Sequence, residues 1–194
     1  KKSEMDMSDP FGPPQLKDKD AKLIRYLADH SHISPFGHCF ISVHVKAPVF
    51  VARQLAKHSY LRWSEVSRRY VSDKPEFYSP KLREAASDKK QGSGDDMEDS
   101  VSDSVVEQAG IEAAKQYTYL LSRGVCEEQA RMILPQSMLT EWIWSGSLDA
   151  FSRMVKLRLT SDAQQETREV AMQVYEIIEP LFPVSWEALM VQGE

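Results

Sequence analysis

No apolar run in this chain approaches the roughly 18 residues that a membrane helix needs, and no signal-peptide pattern is present. A membrane-spanning role is set aside, and a cytoplasmic location is expected. Cysteine is scarce: Cys39 and Cys126 are the two in 194 residues. They are too few for a disulfide framework and too far apart for metal-ligand spacing. Cys39 falls on an alternating strand pattern and Cys126 follows an expected helix end, so both read as packing residues rather than nucleophiles. A basic excess is missing too. The formal net charge is −5 with no extended basic stripe, which counts against nucleic acid as a partner. There is no internal repeat. A 42% hydrophobic content over 194 residues suits one domain, 1–194, with a sizeable core. The chain begins Lys1-Lys2 without Met, so it reads as a fragment or a processed chain.

Against this acidic background stands one cationic island. Between Arg53 and Tyr70 lie Arg53, Lys57, Arg62, Arg68 and Arg69 against the single acid Glu65, a local charge of +4. A cationic patch within an acidic chain points to a local anion site. Gln54, His58, Ser64, Glu65 and Ser67 add donors and acceptors, which suits a phosphorylated ligand that also carries a base or sugar. The same content also suits a solvated basic helix face.

Hydrophobic periodicity predicts mixed helix and strand content, with helices around a small sheet. Residues 1–19, with Pro10, Pro13 and Pro14, read as an irregular arm. Asp20 is the expected cap of a short helix through Ala28. Cys39, Ile41, Val43 and Val45 alternate with Phe40, Ser42 and His44, the pattern of a half-buried strand. Pro48 suits the first turn of a helix that ends near Lys57 and His58, followed by a loop holding Ser64 to Arg69. Residues 84–103 are polar and acidic and read as a mobile insertion. A helix then runs from about Val105 to Gly124, a short one over 127–133, a strand over 138–144 and a helix over 147–158. Ser161 and Gln164 form an expected capping box for a last helix carrying Val170, Val174, Ile177, Ile178 and Leu181. Trp142 and Trp144 are expected in the core or at a subunit contact.

Three collinear stretches carry a family resemblance. Lys57-His58-Ser59 is followed by seven residues and then by Ser67-Arg68-Arg69-Tyr70. This is similar to the Arg-His-Arg, seven residues, Ser-X-Arg motif of flavin-dependent thymidylate synthases. Upstream, His32-Ile33-Ser34-Pro35-Phe36-Gly37-His38 resembles that family's His, Thr or Ser, Pro-Phe, His segment. Downstream, Ala130-Arg131-Met132-Ile133-Leu134-Pro135, Leu157-Arg158 and Ala163-Gln164-Gln165-Glu166 resemble further family motifs. The matches span about residues 20 to 185.

The resemblance implies conversion of dUMP to dTMP, with 5,10-methylenetetrahydrofolate as carbon donor and NADPH-reduced FAD as hydride source. It implies an α+β fold with helices packed around a small mixed or antiparallel sheet, a homotetramer with active sites shared between subunits, and no catalytic cysteine. By resemblance, dUMP binds Gln54, Lys57, Glu65, Ser67, Arg68, Arg69, Arg131 and Arg158. Arg69 and Arg131 are assigned to phosphate, and Arg158 acts on the uracil edge as the catalytic residue. FAD and folate are assigned His32, Ser34, Lys57, His58, Ser59, Glu65 and Arg153. The chain departs from the family at Ser59, where an Arg contacts the flavin, and at Asp149, where another Arg is common. Ser147 and Arg153 replace Asn residues, and Arg153 or Arg62 is the candidate for restoring the lost charge. No metal is expected, since His32, His38 and His58 make only a weak ligand pattern. Ser67 lacks a His and carboxylate at a recognisable spacing, which favours a binding hydroxyl over a nucleophile. Alternatives are one-carbon transfer to another pyrimidine nucleotide, or a nucleotide-binding homologue without catalysis.

Overall fold

The structure, a computed structural model, describes residues 16–87 and 92–191. Pro10, Pro13 and Pro14 lie outside them. The first helix, α1 (Asp18–Asp29), begins earlier than Asp20. Lys17 occupies the cap position, and its carbonyl accepts from the Asp20 and Ala21 amides at 2.9 and 3.0 Å. Asp18 and Asp20 therefore sit in the first turn, where carboxylates complement the helix dipole.

A short 3₁₀ turn (Ser34–His38) leads into strand β1 (Phe40–Pro48), whose side chains alternate between exposed and buried as expected. Helix α2 (Val49–Leu55) follows, then β2 (Leu61–Glu65). Ser64 and Glu65 are therefore on a strand, not in the expected loop. Their polar side chains hid a backbone that pairs with a third strand, β5 (Leu139–Ser147), as Ser64 opposite Ile143 and Glu65 opposite Trp142. The sheet order is β1-β5-β2, antiparallel throughout.

The polar stretch before α3 contains more order than its composition suggests. Strands β3 (Arg83–Ala85) and β4 (Ser93–Asp96) pair as a small antiparallel ribbon. Helix α3 (Ser100–Ser122) starts inside the same stretch because Asp99 caps it, accepting from the Val101 and Ser102 amides at 3.1 and 3.3 Å. Gly124 closes that helix at φ +83°, and the Gly124 and Val125 amides return to the Leu121 and Leu120 carbonyls. That left-handed position favours glycine.

Helix α4 (Glu127–Ala130) runs into a 3₁₀ turn at Arg131–Ile133. Helices α5 (Leu148–Arg158), α6 (Gln165–Ile178) and α7 (Pro183–Val191) complete the chain. The expected Ser161 capping box does not form: Gln164 holds the cap position, and its side chain is spent on hydrogen bonds to Gln54 and Glu166. Leu181 lies beyond α6, and α7 itself was not legible in the hydrophobic pattern. The core lies between one sheet face and the helices, with Ile41, Val43, Val45, Trp142 and Trp144 buried against Val51, Leu55, Phe151, Val155 and Ile178. Trp186 of α7 closes its edge, fully buried.

One glycine fixes the approach of β2 to β5. A Cβ on Gly146 would lie 2.5 Å from Leu61 Cδ2 and 3.0 Å from the Tyr60 carbonyl oxygen. Overpacking of this kind typically costs about 1–3 kcal/mol. Gly146→Ala is expected to lower the thermal unfolding midpoint clearly. An unchanged midpoint would mean that Leu61 and the Tyr60 turn shift aside without cost.

Candidate active site

The basic island folds around the end of α2 and the start of β2. A cleft of about 840 Å³ is lined by Arg53, Trp63, Glu65, Ser67, Arg68, Arg69, Arg131 and Thr140, among others. Trp63 stacks on the buried Trp142 ring at 4.2 Å and donates its indole N–H to Glu65 Oε2 at 3.0 Å. Thr140 donates its hydroxyl to Glu65 Oε1 at 2.6 Å. The carboxylate is thus fixed in orientation at the mouth of an arginine-rich cleft.

Ser67 Oγ accepts from the Arg69 backbone amide at 3.3 Å and from Arg69 Nε at 3.2 Å. Arg69 also lies over the Tyr70 ring, 5.0 Å from its centroid. Among the described residues its terminal amino groups take no partner. Arg131 spends only Nε, on the Glu128 carbonyl at 3.3 Å. Arg68 is tied to the Asp73 carbonyl. Two guanidinium groups with terminal donors to spare can grip a phosphate, because the planar fork donates paired hydrogen bonds.

Arg158, the expected catalytic residue, lies in a second cluster among α2, α5 and α6. Its Nε donates to His58 Nε2 at 2.9 Å and its Nη2 to the Gln54 carbonyl at 3.2 Å. The Gln54 side-chain amide donates to Gln164 Oε1 and accepts from the Thr167 hydroxyl at 3.3 Å. Gln164 donates to Glu166 Oε2 at 2.9 Å, and Arg83 Nη2 pairs with Glu166 Oε1 at 2.5 Å. Burial alone would raise the Glu166 pKa. The hydrogen bond from Arg83, with those from its own backbone and Gln164, more than offsets this, so the group sits below its ordinary value.

Burial, and then the Arg158 cation, lower the His58 pKa to about 4 from 6.5. His58 is therefore neutral at physiological pH and accepts through Nε2, which leaves the proton on Nδ1. The unfolded chain takes up this proton before the folded one, so stability falls as pH drops through the window from 6.5 towards 4. NMR titration should find the His58 ring unprotonated down to about pH 5. His58→Gln keeps an acceptor without a titrating group and should flatten that part of the stability profile. A His58 midpoint near 6.5 would overturn this reading.

The remaining predicted residues are elsewhere. Lys57 and Ser59 are exposed in the turn after α2, beside Tyr60, which has a left-handed φ of +65°. Arg153 Cζ lies 5.2 Å from the Tyr60 ring centroid, which brings a cation next to Ser59. That guanidinium is nevertheless paired with Asp149 at 2.9 Å, and Ser147 donates to the same carboxylate at 2.6 Å. Asp149 is buried and neutralised rather than presented as a bare negative charge. His32 and Ser34 are exposed around the 3₁₀ turn and line no part of the arginine cleft. Sequence reasoning missed Trp63 and Thr140, the two holders of Glu65. It missed Arg83, which carried no motif and lay just before the stretch read as a mobile insertion; it gave Gln164 only a capping role and Glu166 none.

A three-stranded antiparallel sheet backed by helices, with an arginine-lined cleft and a second cluster around Arg158, defines an α+β protein. The family model described as thymidylate synthase complementing protein matches residues 2–184. A flavin-dependent thymidylate synthase of Thermus thermophilus is 40% identical over 171 residues, covering 88% of this chain and 63% of that protein. The flavin-dependent thymidylate synthase of Kosmotoga olearia is 36% identical over 177 residues, covering 89% of this chain and 77% of that protein. The structure of PolB, a UMP/dUMP methylase from Streptomyces cacaoi bound with 5-Br dUMP, superposes with a TM-score of 0.76 at 29% identity. That match covers 90% of this chain and 81% of PolB. The chain belongs to the thymidylate synthase complementing protein family.

Proposed function

We propose that this chain is a flavin-dependent thymidylate synthase that converts dUMP to dTMP. 5,10-Methylenetetrahydrofolate supplies the carbon. The observation that carries this reading is the pair of unspent guanidinium groups, Arg69 and Arg131, in the same cleft as an oriented Glu65 and the Ser67 hydroxyl. Relatives of the same family named flavin-dependent thymidylate synthase, and a solved relative bound with a dUMP analogue, support it.

In this reading Arg69 and Arg131 hold the phosphate, and Glu65, Ser67 and Lys57 take the sugar and the remaining polar groups, with Arg68 bracing the loop. Arg158 acts at the uracil edge. A fixed guanidinium there stabilises negative charge developing on the ring and makes its C5 more nucleophilic. Gln54 and Arg158 line no part of the arginine cleft, which suits a site completed by a second copy, and a homotetramer is the assembly that the family resemblance implies.

The donor set also suits FAD. Lys57 and Arg62 are exposed cations that flank the Tyr60 turn in sequence, fit for a pyrophosphate, and His32 offers an exposed ring for stacking. His58, Ser59, Ser34 and Arg153 extend that surface. When bound, FAD reduced by NADPH supplies the hydride that completes the methyl group. The chain's residues bind and orient the reactants, and neither Cys39 nor Cys126 takes part. No helix among the described residues is long and apolar enough to cross a membrane. The enzyme is read as cytoplasmic.

A second reading, methylation of a pyrimidine ribonucleotide, is favoured by one observation: PolB is described as a UMP/dUMP methylase. The test is to supply FAD, NADPH and methylenetetrahydrofolate with dUMP or UMP and identify the products chromatographically. dTMP from dUMP supports the first reading, and 5-methyl-UMP as the main product supports the second. Nucleotide binding with neither product would leave a non-catalytic homologue.

A further inference from the structure

Glu166 is a buried carboxylate whose two oxygens are both taken: Oε1 by Arg83 at 2.5 Å and Oε2 by Gln164 at 2.9 Å. Its side chain is 7% exposed and that of Arg83 14%, so this ion pair is largely removed from water. Such a pair contributes little net stability against an apolar replacement, and its better-attested use is to specify one arrangement. The arrangement here is a direction of hydrogen bonding.

An ionised carboxylate only accepts, so Gln164 must turn its amide nitrogen towards Glu166. The Gln164 oxygen then faces Gln54, which must donate through its own nitrogen. The Gln54 oxygen is left to the hydroxyl of Thr167, a fully buried residue. Each amide could otherwise be reversed, because its two ends have nearly the same shape. One carboxylate therefore fixes the polarity of two amides in series. Arg83 anchors the device to the ribbon, since its Nε also donates to Ser93 Oγ at 2.7 Å.

We propose that Glu166, locked by Arg83, is a specificity-determining positioning residue that makes Gln54 present an N–H to the base of the nucleotide. This rests on the reading of Gln54 as a nucleotide-binding residue. After donating to Gln164, the Gln54 nitrogen retains one hydrogen. A remaining N–H matches the O4 carbonyl of uracil and opposes the exocyclic amino group that cytosine carries at the same ring position. Neither Glu166 nor Arg83 touches the base; they select it through Gln164.

The test measures the affinity of the full chain for dUMP and for dCMP by calorimetry, in the parent, Glu166→Gln and Gln164→Leu. The second variant leaves the Arg83–Glu166 pair in place and breaks the relay one step later, so it serves if the first does not fold. The parent is expected to prefer dUMP by at least about tenfold, and both variants to lose most of that preference. A parent without the preference, or a variant that weakens both nucleotides by the same factor, overturns the proposal. Side-chain amide NMR on the ligand-free protein separates this from failure of the nucleotide reading. The Gln54 amide protons should be protected from exchange in the parent and lose about tenfold of that protection in either variant. Protection that depends on Glu166 in a protein that takes up no dUMP overturns the nucleotide reading and keeps the relay. Unchanged protection in both variants overturns the relay itself.

Discussion

With dUMP as the proposed substrate, Arg158→Lys is expected to lower turnover at saturating dUMP by about a hundredfold while weakening dUMP binding by no more than about tenfold. The guanidinium reaches two acceptors at once, Nε to His58 Nε2 at 2.9 Å and Nη2 to the Gln54 carbonyl at 3.2 Å. Those contacts fix the plane of the fork and leave its remaining N–H groups for the substrate. A lysine keeps the charge but is a single point on a flexible stem, so it cannot hold both acceptors and the uracil edge in one geometry. Binding needs mainly the charge, whereas stabilising a ring that gains negative character needs the donor in place beforehand. Loss of turnover with binding retained is the signature of an interaction made chiefly in the transition state. Steady-state dTMP formation alongside calorimetric dUMP binding checks it. Turnover within threefold of the parent would remove Arg158 from the assigned role.

On the same reading, Arg69→Ala is expected to raise KM for dUMP by about ten- to a hundredfold, the equivalent of one lost charge-assisted contact, and to leave kcat near the parent value. Ser67 accepts from both the backbone amide and Nε of Arg69, so the side chain is held out over the cleft with its terminal donors unspent. Arg69 shares no hydrogen bond with the Arg158 cluster, so the loss should fall chiefly on binding. Deoxyuridine, which lacks the phosphate, provides the control. Its weak inhibition of the parent should be unchanged in Arg69→Ala, and the parent's dUMP affinity should fall with salt more steeply than the variant's. Equal losses for dUMP and deoxyuridine would mean that Arg69 shapes the cleft rather than gripping the phosphate.

Much of the fold is legible residue by residue. Ile41, Val43 and Val45 alternate with polar neighbours and are buried, because a half-covered strand has a period of two. The helix expected over 147–158 is α5 almost to the residue, since its apolar positions share one face. Helix α7 escaped notice for the opposite reason: Pro183, Val184, Trp186, Ala188, Leu189 and Met190 are apolar on several sides, so no period stands out. The β3–β4 ribbon escaped because Ser93, Gly94, Asp95 and Asp96 carry no strand signal. Its pairing is reinforced by Arg83, which bonds across the ribbon to Ser93 and away from it to Glu166.

What the chain determined by itself is the chemistry on offer: arginines in a cationic island, a lone acid among them, hydroxyls and amides at motif spacing, and two cysteines that lie in no matched motif. Those properties depend on side-chain type and near-neighbour spacing, which one dimension already holds. Only the tertiary structure decided which of these groups meet. Glu65 became an oriented carboxylate because β2 pairs with β5 and brings Thr140 alongside, 75 residues away in sequence. Arg158 found His58 across 100 residues, and Arg83 found Glu166 across 83. Asp149, expected as a negative charge near the cofactor, was neutralised by Arg153 one helical turn further along α5. Direction of hydrogen bonding, burial and charge pairing are set by partners distant in the chain, and they exist only once the sheet and helices have closed around them.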